Sequence, residues 1–95
     1  MLYIKEMNRH IMIDLETFGT KPGSVICSIG AVKFNTEKGI YAEFYKRIDI
    51  ESCVKVGLTF DSTAILWWME QSDDARKELL NTDRLLLSEA KVFSI

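Results

Sequence analysis

The chain has no long apolar run. Nothing in it approaches the ~20 consecutive apolar residues that a membrane span requires, so no membrane partner is expected. Residues 1–9 are mixed and charged, without the apolar segment of a secretory leader. A basic excess is missing too: 12 Lys and Arg face 14 Asp and Glu, a formal net charge of −2. That balance disfavours a general nucleic-acid-binding module, which would show a basic stripe. It leaves room for a site in which a metal ion supplies the positive charge. The two cysteines, Cys27 and Cys53, show no zinc-ligand spacing. Cys27 lies in an apolar run and reads as a reduced, buried thiol of a cytosolic protein. His10 is the only histidine. It stands at the mouth of the first apolar segment and reads as a strand-opening residue, not as a base or ligand. Repeats and low-complexity segments are absent.

What remains is a small globular chain. At 95 residues with 47% hydrophobic content it can form one domain with a modest core. Its organising stretch is His10-Ile-Met-Ile-Asp-Leu-Glu-Thr-Phe-Gly19, in which an apolar run leads into two carboxylates and then a turn. As a strand over residues 11–16, alternation points Ile11, Ile13 and Leu15 to one face and Met12, Asp14 and Glu16 to the other. Asp14 and Glu16 then lie roughly 6–7 Å apart at ~3.3 Å rise per residue. Two like charges that close, on a strand too apolar for a sheet edge, call for a cation between them. A hard divalent ion such as Mg²⁺ suits oxygen ligands and keeps waters for a phosphate. The plainer reading is that both carboxylates decorate a solvated face.

Residues 19–24 are turn chemistry throughout. Residues 25–34 read as a second strand, with Gly30 marking a bulge or a close backbone approach. Asn35–Gly39 closes a hairpin. Residues 40–48 alternate, with Ile40, Ala42, Phe44 and Ile48 on one face and Tyr41, Glu43, Tyr45 and Arg47 on a wet one. Residues 49–60 read as loop. A helix is expected over 63–71, capped from the Asp61-Ser62-Thr63 run, with Ile65, Trp68 and Met69 as its core-facing stripe. A second helix is expected over 73–80, with Asp73 and Asp74 where the helix dipole favours them. A third helical pattern runs over 84–95.

Asp14-Leu15-Glu16-Thr17-Phe18-Gly19 resembles the first motif of the DEDD 3′–5′ exonucleases, a superfamily with an RNase H-like fold. Ser28-Ile29-Gly30-Ala31, Gly57 before Asp61, and Trp67-Trp68-Met69-Glu70-Gln71-Ser72 narrow the resemblance to the phage and prophage branch related to exodeoxyribonuclease eight. The resemblance implies an incomplete RNase H-like α/β domain: three antiparallel strands from the N-terminal half, then helices. Residues 1–95 would be the N-terminal part of an exonuclease domain, with 1–6 as an extension. It further implies two-metal hydrolysis of phosphodiester bonds at the 3′ end of single-stranded DNA or RNA, in a bacterial or phage-infected cytoplasm. Asp14 and Glu16 would be catalytic and hold Mg²⁺ or Mn²⁺, and Leu15 and Thr17 would lie against the terminal nucleotide.

The sequence departs from that pattern after Ser72. Family members have two further aspartates and a histidine or tyrosine base in the second half of the domain, and nothing here matches them. Asp61, in a phenylalanine–aspartate context, imitates the second motif but comes too early and reads as a helix cap. The family's carboxylate strand also has a later parallel neighbour. Without it, the first strand is expected to present an apolar edge to a second copy or a complementing polypeptide. The alternative to an exonuclease is therefore a catalytically inactive truncated remnant, or an interaction module.

Overall fold

The computed structural model describes residues 2–6 and 9–91. Four strands form one antiparallel sheet in chain order: β1 (Leu2–Glu6), β2 (Arg9–Thr17), β3 (Ile26–Asn35) and β4 (Gly39–Arg47). The expected three strands are present and a fourth is added. β1 pairs along β2 from Leu2 opposite Ile13 to Lys5 opposite His10. The edge expected to be uncovered is thus covered by the chain's own N-terminal residues, antiparallel to β2. This pairing has little sequence signature, because the alternation of so short a strand becomes legible only beside its partner. His10 opens β2 as expected. It is buried, stacked on Phe34 with ring centroids 4.9 Å apart, and hydrogen-bonded to the Tyr3 hydroxyl.

β2 and β3 form the centre of the sheet. Asp14 pairs with Gly30, Glu16 with Ser28, and Gly30 in turn with Tyr45. The register slips between Glu16 and Thr17, where β3 advances from Ser28 to Ile26. The bulge therefore lies past the Glu16–Ser28 pair, two pairs along from Gly30, and not at it. A methyl group on Gly30 would sit 3.9 Å from Tyr45 Cδ2, ordinary van der Waals contact. The β3–β4 turn is closed by the Asn35 carboxamide oxygen, which accepts from the Glu37 and Lys38 amides, and by Gly39 at φ 77°.

Residues 49–60, read as loop, contain a short helix, α1 (Ile50–Lys55). Asp49 caps it by accepting from the Ser52 amide at 2.9 Å, and Cys53 on its inner side is fully buried. The cap was hidden because Asp49 follows directly on β4 and the helix has fewer than two turns. α2 (Ser62–Met69) starts at Asp61, whose carboxylate accepts from the Ala64 amide at 3.1 Å. Its expected stripe is met at Trp68 and not at Ile65 or Met69. Ala64 and Trp68 turn inward at i and i+4, whereas Ile65 and Met69 are exposed. α3 (Asp73–Leu80) covers the residues expected, capped by Ser72. The third helical pattern does not become a helix. Leu85 instead bridges to Ile48, and a single 3-10 turn covers Leu87–Glu89; residues 92–95 lie outside the described ones.

The core gathers Phe18, Val25, Cys27, Ile29, Ile48 and Cys53, with Phe44, Trp68, Leu79 and Leu85 partly buried against it. Full burial of an aliphatic side chain such as Ile48 contributes about 1.5–3 kcal/mol. No helix among the described residues is long and apolar enough to cross a membrane.

Candidate active site on the carboxylate strand

β2 delivers Asp14 and Glu16 to one side of the sheet, as period-two alternation requires. Both are exposed. Their surroundings differ. Asp14 opens on a cavity of about 600 Å³ whose lining includes Met12, Gly30, Val32, Glu43 and Tyr45. Glu16 lines a smaller one, about 160 Å³, with Ser28, Trp68, Glu78 and Arg84. Tyr45 borders both cavities and stands between the two carboxylates' openings.

The turn after the carboxylates is held from two sides. The Trp68 indole N–H donates to the Thr17 carbonyl at 3.1 Å, and the Thr17 hydroxyl donates to the Gly19 carbonyl at 2.7 Å. The second Asp61 oxygen accepts from the Thr20 hydroxyl and amide, at 2.9 and 3.2 Å. The Ala64 amide and then the Thr20 hydroxyl hold the Asp61 carboxyl below its ordinary range. Asp61 is therefore a capping residue, as read from the sequence, and it also ties the Phe18–Thr20 turn to α2. Thr17 thus has its hydroxyl and its carbonyl engaged within the fold. Leu15 is exposed on the sheet face opposite Asp14 and Glu16. Of the expected pair Trp67-Trp68, Trp68 does the packing. Trp67 is exposed and meets Trp68 edge-on at 5.1 Å.

Two arginines, Arg47 and Arg84, stand near Glu16. Arg84 donates to four backbone carbonyls: Cys27, Ile48, Glu78 and Asn81, all at 2.8–3.0 Å. Arg47 makes a two-pronged pair with Glu78 at 2.7 and 3.2 Å, which pulls the Glu78 carboxyl below its usual range. Nothing local in the sequence marks these roles, because Arg84 is 57 positions from Cys27 and Arg47 is 31 from Glu78. Burial pushes the Cys27 thiol up to about 12, a shift that the nearby Arg84 opposes. At neutral pH it is a protonated, inert core group. Among the described residues, no three His, Cys, Asp or Glu side chains gather as a ligand cluster. Asp14 and Glu16 suit a hard cation by donor type and by sharing a face, but they are two ligands only.

Residues 9–93 match the Rv2179c-like family, described as a 3′-5′ exoribonuclease Rv2179c-like domain. The chain belongs to that family. The match begins at the first residue of β2, so the edge strand β1 lies outside it. It takes in both carboxylates, and it supports a hydrolytic nuclease with a nucleic-acid substrate. No curated protein and no solved structure matches the chain.

Proposed function

We propose that this chain carries the first metal-binding strand of a 3′–5′ exonuclease acting on RNA ends, with the two-metal chemistry of the DEDD superfamily on an RNase H-like sheet. One observation carries the reading: Asp14 and Glu16 share one face of a central strand within the family match. The family's description favours RNA over DNA as substrate. Asp14 and Glu16 are the residues that would hold Mg²⁺ or Mn²⁺. Bound there, such ions would supply a nucleophile at neutral pH and charge for the leaving oxygen. The chain's own contribution is positional. The β2–β3 pairing fixes both carboxylates, and Trp68 and Asp61 hold the turn that follows them.

A second reading, a binding remnant without turnover, is favoured by the missing third ligand among the described residues. Two carboxylates completed by water hold Mg²⁺ only weakly. The expected behaviour of the 95-residue chain alone is therefore weak metal binding without turnover. Mn²⁺ titrated into the labelled protein should broaden amide signals near Asp14, Gly30 and Ser28, and Asp14→Ala should abolish the effect. Broadening that survives both Asp14→Ala and Glu16→Ala would remove the metal site. Glu16-dependent degradation of end-labelled RNA by this chain would instead eliminate the remnant reading.

A further inference from the structure

The cavity in front of Asp14 has parts that metal chemistry does not use. Its floor is the sheet: Met12 on β2, and Gly30 and Val32 on β3. Its far wall is β4, where Glu43 and Tyr45 stand two residues apart and therefore on one side. Met12, Val32 and Glu43 form one cross-strand row, and Asp14, Gly30 and Tyr45 form the next. At ~4.8 Å per strand, the Asp14 and Tyr45 backbones lie about 10 Å apart across the glycine. Gly30 places no side chain between them. Tyr45 is 54% exposed, and Arg47, which lies 5.6 Å from its ring centroid, lines the neighbouring cavity and not this one. The space, about 600 Å³, is a broad depression on the sheet face that opens to solvent.

We propose that this cavity receives the base of the 3′-terminal nucleotide, stacked on Tyr45 and read by Glu43. The inference rests on the exonuclease reading above and adds the base to it. An apolar floor with an aromatic wall suits a planar ring. The rim carboxylate of Glu43 repels a bare phosphate and accepts from N–H groups, which leaves Asp14 to the metal. Guanine fits best, because its N1–H and N2–H₂ donors lie side by side and match the two oxygens of one carboxylate. Uracil offers a single N–H flanked by two carbonyls, which a carboxylate repels.

The test uses nucleosides, which carry no phosphate, added to the 95-residue chain with a chelator present. Amide shifts are followed by two-dimensional NMR. Guanosine should move the signals of Gly30, Val32 and Tyr45, and uridine should bind at least tenfold more weakly. Tyr45→Leu should weaken guanosine about tenfold, whereas Tyr45→Phe should leave it near the parent value. Glu43→Gln should keep binding but lose the preference for guanosine. No saturable shift, shifts elsewhere, or shifts indifferent to Tyr45→Leu would overturn the proposal. So would a sedimenting dimer whose partner fills the cavity and blocks the nucleoside. Mn²⁺ broadening that persists while guanosine fails sinks the base site and leaves the nuclease reading standing. If both fail, both are lost.

Discussion

The sheet and the helices α2 and α3 are built on different principles. In the sheet, β2 has a partner on each side and β3 likewise, and the register places every member of the Asp14 and Glu16 rows. The helices are held by a few long-range pins: Trp68 on the Thr17 carbonyl, Arg84 on the Cys27 and Ile48 carbonyls, and Arg47 on Glu78. They leave large apolar side chains in water, including Leu66, Trp67, Met69 and, at 79% exposure, Leu80. The sheet is thus a distributed structure and the helical layer a pinned one. The contrast shows where the chemistry can be precise. Asp14 and Glu16 are aimed by many backbone hydrogen bonds, whereas α2 and α3 are placed by a small number of contacts.

The largest expected effect attacks the layer that both regions share. Ile48→Ala empties a fully buried position and should cost about 2–5 kcal/mol, enough to unfold a small domain of ordinary stability. Retention of a cooperative thermal transition with unchanged midpoint would show that Ile48 is not the keystone its burial implies. Next comes Arg84→Met, which withdraws four donors from backbone carbonyls and should cost about 2 kcal/mol. Hydrogen exchange should accelerate in α3 and residues 81–87 while β2 and β3 stay protected. Equal loss in the sheet would erase the distinction between the two regions. Trp68→Phe keeps an aromatic ring but removes the indole donor and part of its packing, for about 1–2 kcal/mol. Its loss should be felt at the Thr17–Gly19 turn and not in α3. Leu80→Lys should change stability by no more than about 0.5 kcal/mol. A larger loss would mean that Leu80 is packed in solution.

The Asp61 cap gives a pH signature. Its carboxyl titrates below the ordinary range in the folded chain. The stabilisation is therefore fully present above the unfolded value of about 3.9 and is lost as pH falls through the lower folded value. Parent and Asp61→Asn stability curves should differ at neutral pH and converge in acid. Parallel curves down to the acid transition would contradict the cap's role.

Much of this was legible in local sequence, because the physics involved is local. Alternation of apolar and polar residues put Asp14 and Glu16 on one face, and Asp73 and Asp74, where the helix dipole favours them, marked the start of α3. Asp61 read correctly as a cap, since an acidic residue just before an apolar helical run satisfies free amides wherever it occurs. The inward face of α2 did not read correctly. Ile65, Trp68 and Met69 satisfy helical spacing, but whether 65 and 69 or 64 and 68 face inward depends on which part of the sheet the helix meets.

Composition and period therefore determined the strands β2, β3 and β4, the α3 helix and the carboxylate face. Tertiary structure alone decided that residues 2–6 close the edge of β2, that Leu85 bridges to Ile48 where an α-helix was expected, and that Arg84 and Arg47 serve as pins. It also decided that Tyr45 stands across Gly30 from Asp14. The physical reason is common to all four. Each depends on partners distant in the chain, whose register or proximity is set by the whole sheet and leaves no periodic trace in the sequence.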